Sequence, residues 1–331
     1  MEWEEGAGSA TRLEEGVWLI DLGFQDRPEI VAAYLLAGAG EVVLIETGPS
    51  STLPSLLAGI TAAGFAPEEL TGLLVTHIHL DHAGAAGVLI RLFPHLTVGV
   101  HPVGAAHLID PSRLLASATR IYQERMESLW GEVAPIPAQR VVPLADGRVL
   151  PVAGRSLEVI HTPGHASHHV AFFDPEARSL FTGDVGGVRI PGTDYVCPPT
   201  PPPDLDPASW KQSVARLRAL DAQRLYLTHF GAFDDVAEHL DQLIPNLTEF
   251  VAVGRASFAT GDDQTELTAQ LHARMGAALG DAPPEALERL EWATPSYMAA
   301  LGLTRLVSRE QRTISPPSPI IGRGGLGDEG C

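Results

Sequence analysis

The stretch VTHIHLDHAGAAG, Val75 to Gly87, sets three histidines and an aspartate within six positions, in a chain of 331 residues that has only 13 histidines. Imidazole nitrogen and carboxylate oxygen are the donors that Zn²⁺, Fe²⁺ and Mn²⁺ accept. In an extended chain His77, His79 and Asp81 share one face and His82 points away. In a helix only 77 with 81, and 79 with 82, are neighbours. No single regular conformation gathers all four around one point. A strand breaking into a loop can aim His77 and His79 at one place and Asp81 and His82 at another nearby, which is what two adjacent cations need. The competing reading, solvated loop histidines, suits one histidine better than four ligand types in six positions.

Four donors cannot complete two metal sites, so further ligands are expected elsewhere. HTPGHASHH places His165 after a Pro-Gly turn, LFTGDVGG places Asp184 between glycines, and LYLTHFG places His229 beyond an apolar run. A carboxylate such as Asp184 can bridge two cations through its two oxygens. His168 and His169 are candidates for holding ligands in place, whereas His101 and His161 read as structural and His239 and His272 as ordinary helix-surface residues. Cys197, in a proline-rich loop, reads as a bystander.

The elements that must position these residues are legible as alternating short patterns. VWLIDL, IVAAYLLAG and EVVLIETG read as strands, SSTLPSLLAGITAAG as a helix ending at Gly64, LTGLLV as a strand running into Thr76, AGAAGVLIRLF as a helix and LTVGV as a strand. Residues from about 103 to 130 read as helical. Five strands then follow, RVVPL, RVLPV, SLEVIH, HHVAFFD and SLFTGD. The loop PGTDYVCPPTPPPDLDP is too rich in proline for either element. ASWKQSVARLRAL reads as a helix and RLYLTHFG as a strand. After Asp234 the pattern is almost wholly helical. Each candidate ligand therefore sits just past a strand end, on loops held by a sheet. This predicts a flexible N-terminus over 1–15, a catalytic domain over 16–234, a small helical region over 235–310 and a disordered tail over 311–331.

Composition narrows the functions. Hydrophobic residues make up 45% of the chain, enough for a sizeable core. Lys+Arg 22 against Asp+Glu 41 leaves a net charge of −19, which disfavours nucleic acid as a partner. Two cysteines, Cys197 and Cys331, fit a reducing cytoplasm rather than a disulfide scaffold. The acidic opening MEWEEGAGSATRLEEG does not read as a signal peptide, and no apolar run is long enough to suggest a membrane span.

The four motif segments, in this order, resemble the metallo-β-lactamase superfamily, most closely its glyoxalase II-like hydrolases, over roughly Gly16 to Phe230. The resemblance implies an α/β fold, an αββα sandwich of two mixed β-sheets flanked by helices, with metals at one edge of the sheets. It implies His77, His79 and His165 as ligands of one metal, Asp81, His82 and His229 as ligands of a second, and Asp184 bridging both. Glu46 of ETGPS stands where the family more often has aspartate, and a role beside the site rather than on the metal is expected. Two divalent ions, zinc first and iron or manganese as alternatives, would share a water and bring its pKa towards neutrality. Asp81 and Asp184 are then the catalytic carboxylates, and a small ester, thioester or lactone the expected substrate. Arg120, Tyr122, Met126, Arg189 and Tyr195 are the expected substrate contacts, suited to an acyl group with an anionic end. No basic cluster matching a glutathione site is visible. The helical C-terminus is expected to cover the site or form a homodimer contact. The alternatives are a mononuclear iron dioxygenase of the persulfide dioxygenase type, a phosphodiesterase, and a non-catalytic metal sensor.

Overall fold

Strands that bury both faces must be covered on both sides, and the residue alternation along them records the two coverings. A computed structural model of the chain describes residues 8–314. A seven-stranded sheet follows sequence order: β1 Ser9–Glu14, β2 Val17–Asp21, β3 Ala32–Gly38, β4 Glu41–Ile45, β5 Gly72–Leu74, β6 Val98–Val100 and β7 Val141–Pro143. Pairing is antiparallel through β4 and parallel from β4 to β7. The second sheet has β8 Val149–Val152, β9 Arg155–His161, β10 Val170–Asp174, β11 Ser179–Phe181, β12 Arg224–Leu227 and β13 Gly231–Phe233. In it only β11 and β12 are parallel.

Three apolar layers result. On β3, Ala32, Tyr34 and Leu36 face the second sheet, and on β10 Val170 and Phe172 face back at them. The intervening Ala33 and Leu35 join an outer layer with helix α1, Leu53–Ala62, through Leu56, Leu57 and Ile60. Ala171 and Phe173 join the opposite outer layer. The first sheet carries α1, α2 Leu80–Ala83, α3 Ala86–Leu92, α4 Pro102–Ile109, α5 Ser112–Tyr122 and α6 Met126–Trp130 in its connections. The second is covered by α7 Pro207–Arg218, α8 Val236–Thr260, α9 Gln264–Leu279, α10 Pro284–Ala293 and α11 Ser296–Ile314. This is the expected αββα sandwich with C-terminal helices.

Two of the expected boundaries change here. Residues 9–14, read as part of a flexible terminus, form edge strand β1; its side chains are exposed or half-buried, so no apolar alternation announced it. The helices after residue 235 have no core of their own: Leu243, Leu247, Leu271 and Leu303 share one apolar layer with Leu225 and Leu227 of the second sheet. Helix α11 continues to Ile314, past the expected boundary at 310, and the rest of the proposed disordered tail lies outside the described residues. Among the described residues no helix is long and apolar enough to cross a membrane.

Two contacts tie the sheets together where the site forms. The Tyr34 hydroxyl donates to Leu227 O at 2.6 Å, and the Ala32 amide donates to Thr228 O at 2.8 Å. Trp210 of α7 is fully buried and donates its indole N–H to Val185 O at 2.9 Å, fixing the short turn Gly183–Gly186 that carries Asp184. Losing that side chain would cost about 3–5 kcal/mol.

Candidate metal centre

Local backbone explains why each ligand sits where it does. β5 ends at Leu74, and the chain leaves the sheet through Thr76 to His79 before α2 begins. Asp81 and His82 lie in the single turn of α2, so the strand exit and the helix turn aim the two halves of the motif separately, as the spacing required. His165 follows the Pro163–Gly164 turn, whose Pro163 carbonyl accepts from Ser213 Oγ at 2.7 Å. Gly183, at φ +52°, precedes Asp184; a Cβ there would lie 2.6 Å from both Thr76 Oγ1 and His169 Nε2, so only glycine permits this approach.

All seven expected ligands converge. They form two groups, His77, His79, His165 and Asp184, and Asp81, His82 and His229, each with its donor atoms within 4.8 Å of one another. Asp184 joins them. Its Oδ2 lies 3.2 Å from His165 Nε2 and 3.9 Å from His77 Nε2. Its Oδ1 lies 3.1 Å from His82 Nε2 and 3.5 Å from His229 Nε2. Asp81 Oδ2 is 3.4 Å from His229 Nε2 and 3.8 Å from His82 Nε2. His79 Nδ1 is 2.9 Å from both His77 Nε2 and His165 Nε2.

The far nitrogen of four imidazoles is anchored, which fixes the tautomer and leaves Nε2 facing inward. His77 Nδ1 meets Thr76 Oγ1 at 3.0 Å, His82 Nδ1 meets Glu46 Oε1 at 3.0 Å, His165 Nδ1 meets Pro199 O at 2.9 Å and His229 Nδ1 meets Ile30 O at 2.7 Å. Glu46 is fully buried at φ +65°, a backbone region costly for a non-glycine residue, and accepts from the Thr76 amide at 3.2 Å and hydroxyl at 2.5 Å. It therefore stands behind His82, as expected. His169 meets Thr162 Oγ1 at 2.7 Å and accepts from the Val185 amide at 3.4 Å, bracing the Asp184 turn.

The inward atoms fit cations. His82 Nε2, His229 Nε2 and Asp184 Oδ1 are buried without a hydrogen-bond partner, although both nitrogens lie within 3.5 Å of that oxygen. Buried polar atoms are almost always satisfied, so atoms that aim at a shared point and not at each other suit a common ligand. Electrostatics agree. Burial and neighbouring imidazoles hold His77 and His169 well below the usual histidine range, and His79 is lowered to about 4, so these are neutral. Burial pushes His82 down, but Asp184, Glu46 and Asp81 outweigh it and raise it well above the ordinary value. Burial raises Asp81, yet His82 and His229 bring it down to about 2.

The centre opens into one cavity of about 540 Å³, reached by His79, Asp81, Asp184 and His229. Of the expected substrate contacts only Tyr122 lines it. Arg120 lies on the solvent side of α5, off the face that presents Leu114, Ala118 and Ile121. Met126 packs against the outer apolar layer instead. Arg189 is buried, bonded to Asp235 at 2.7 Å and lying over the Phe233 ring at 4.4 Å. Tyr195 belongs to the core beneath the second sheet. His239, read as a surface residue, is buried and bonds Gly186 O at 2.7 Å. His101 and His161 stack on each other at 4.3 Å, outside the centre. Trp130, on the helical stretch expected near the mouth, lines the cavity, whereas Phe24, Trp292, Tyr297 and Met298 on its walls carried no such expectation. Their only signal was aromatic or sulfur-bearing side chains near proline and glycine turns.

Comparison with known proteins follows the same lines. The family model described as metallo-beta-lactamase superfamily matches residues 26–229. A metallo-beta-lactamase fold-containing protein of Sulfurisphaera tokodaii is 26% identical over 235 residues, 69% of this chain and 84% of that protein. An atrochrysone carboxyl ACP thioesterase of Aspergillus fumigatus is 27% identical over 212 residues, 64% of this chain and 54% of that protein, so the match spans only about half of the thioesterase. Among solved structures, a metallo-beta-lactamase family protein from Thermus thermophilus superposes with a TM-score of 0.65 at 25% identity, covering 91% of this chain and 95% of its own.

Proposed function

The chain belongs to the metallo-beta-lactamase superfamily, and from that membership we propose that it is a dinuclear metal-dependent hydrolase of the glyoxalase II-like kind, cleaving a small thioester, ester or lactone. One observation carries the reading: Asp184 turns Oδ2 to His77 and His165 and Oδ1 to His82 and His229, the arrangement of a carboxylate shared by two cations. His77, His79, His165 and Asp184 would hold one ion, and Asp81, His82, His229 and Asp184 the other. Two divalent ions, zinc first and iron or manganese as alternatives, supply positive charge that makes water acidic near neutral pH and polarises a carbonyl.

The protein's own groups do the rest. Asp81 is the more exposed of the two carboxylates, with 23% of its side chain open against 5% for Asp184. Held ionised, it accepts a hydrogen bond from the attacking water and sets its direction. The walls exclude bulk solvent, which strengthens each charge interaction. In the reaction a C–O bond forms and a C–S or C–O bond breaks; water supplies the oxygen to the acid and a proton to the leaving thiol or alcohol. No serine or cysteine nucleophile is required, and buried Cys197, whose thiol burial pushes up to about 12, is unsuited to that role. The name of the Aspergillus fumigatus relative supports thioesters within this class.

The test is hydrolysis of a panel of thioesters, lactones, esters and phosphodiesters by chelator-stripped and metal-restored protein. Turnover should require metal, and His79→Ala should abolish it. Full turnover in His79→Ala contradicts the reading, and exclusive phosphodiester cleavage replaces it.

A further inference from the structure

The cavity is far larger than the reacting atoms need. At about 540 Å³ it falls within the ~300–1,000 Å³ of pockets that enclose whole drug-sized ligands. Its inner wall is an aromatic corner. Phe24 stacks on Trp130 with ring centres 5.6 Å apart and planes 23° from parallel, and Tyr122 meets Trp130 edge-on at 5.0 Å. Leu114, Ala118 and Ile121 of α5 extend it, and Pro199 and Pro201 face it.

The roof is built and fastened. Trp292, Tyr297 and Met298, at the junction of α10 and α11, line the same cavity as His79, Asp81, Asp184 and His229. Arg27 lies 4.3 Å over the Trp292 ring and pairs with Glu288 at 3.4 Å, and Arg289 pairs with Glu29. Arg125 Nη2 donates to Tyr297 Oη at 3.3 Å, joining the segment between α5 and α6 to α11. Charged groups on the lining are of both signs, with Asp204 accepting from Ser167 and Glu288 paired with Arg27. Arg125 is turned to Tyr297, Arg113 is exposed beside Asp110, and Glu291 accepts from Ser296 and faces His272. Arg120 and Arg189, the cations expected to read an anionic end, are elsewhere.

We propose that this pocket holds the acyl half of the substrate, and that the acyl group is neutral, bulky and apolar, aromatic or of medium chain length. The assignment rests on the hydrolase reading for the bond that is cleaved. The leaving group exits towards solvent, and the carbonyl carbon sits between Asp81 and the aromatic corner. A short or carboxylate-ended acyl group leaves the aromatic corner unfilled or places a charge against it.

The experiment uses the full chain with metal restored. It measures kcat/KM for the acetyl, butanoyl, octanoyl, 2-naphthoyl and succinyl thioesters of N-acetylcysteamine. In parallel, calorimetry measures binding of the matching thioethers, which cannot be hydrolysed. Burial of each methylene should raise kcat/KM about fourfold up to the length that fills the pocket. Naphthoyl should lead acetyl by about 100-fold or more, and succinyl should not exceed butanoyl. Ser117→Phe, a half-buried position on the lining, should cut the naphthoyl-to-acetyl ratio about tenfold, and Ser117→Val by less. Equal rates for acetyl and naphthoyl, a preference for succinyl, or a Ser117→Phe effect equal on all substrates would overturn the proposal. Thioether binding graded by size, with no turnover of these thioesters or of matching esters and lactones, would support the pocket and sink the hydrolase reading. Turnover with ungraded binding would do the reverse.

Discussion

Replacing Glu46 by glutamine exchanges one oxygen for an amide NH₂ at almost constant volume, yet it should loosen the metal centre. The carboxylate is wholly buried and accepts four times: Oε1 faces His82 Nδ1 at 3.0 Å, Thr76 Oγ1 at 2.5 Å and Thr228 Oγ1 at 3.4 Å, and Oε2 takes the Thr76 amide at 3.2 Å. Glutamine keeps one acceptor oxygen. If that oxygen faces His82, the amide NH₂ confronts the Thr76 N–H, donor against donor. If the amide is flipped, His82 must present a bare Nδ1 and carry its proton on Nε2, the atom that should bind the ion. Either arrangement costs about 1–3 kcal/mol of buried unsatisfied polarity. Partners of this kind typically contribute about 10–100-fold to metal affinity, so Glu46→Gln should weaken one of the two ions by about that factor and leave the other nearly untouched. Competition against a chromophoric chelator separates the two affinities, and a thermal melt checks the fold. Two ions bound by Glu46→Gln as tightly as by the parent would refute the argument that Glu46 sets the His82 tautomer.

Other consequences are independent of that one. Metal binding should release protons, because neighbouring carboxylates outweigh burial and raise His82 and His229 above the ordinary histidine value. Affinity should therefore rise with pH below those raised values, about tenfold per unit for each proton displaced, and flatten above them; chelator competition at several pH values reads the slope, and a flat profile would contradict it. Gly302 of α11 leaves no room for a Cβ, which would lie 1.9 Å from Thr200 O. Gly302→Ala should lower the melting temperature through about 1–3 kcal/mol of overpacking. It should also loosen the ion on His165, whose Nδ1 leans on Pro199 O in the same loop; unchanged metal retention would separate the helix from the centre. His239 is buried and lowered to about 4. Its folded pKa lies below the unfolded value, so the stability it contributes is present above about 6.5 and is lost as pH falls towards 4. His239→Gln should flatten that part of the stability-against-pH curve, measured by denaturant titration.

The candidate ligand cluster was readable because its signal is local. Each member sits within a few residues of a strand end, and the impossibility of gathering His77 to His82 in one regular element already required partners elsewhere. The layered fold was readable for a similar reason: β3 and most of β10 are apolar on both faces and so must be covered twice. The cavity beside the centre was not readable. Its roof comes from Trp292 and Tyr297, more than 200 residues from the motif in sequence, and only packing of α10 and α11 brings them over it. Arg189 resembles a loop cation, but its partner Asp235 lies 46 residues away. Arg120 misses the cavity by helical phase alone, since Leu114, Ala118 and Ile121 occupy the inward face. The carbonyls of Ile30 and Pro199, which orient His229 and His165, carry no side-chain signature at all.

The central claim is a pair of cations bridged by Asp184, and elemental analysis after saturation and removal of free metal tests it most directly. Two divalent ions per chain are expected, and one or none in Asp184→Ala. A single ion per chain in the parent at saturation, or two ions retained by Asp184→Ala, would contradict it.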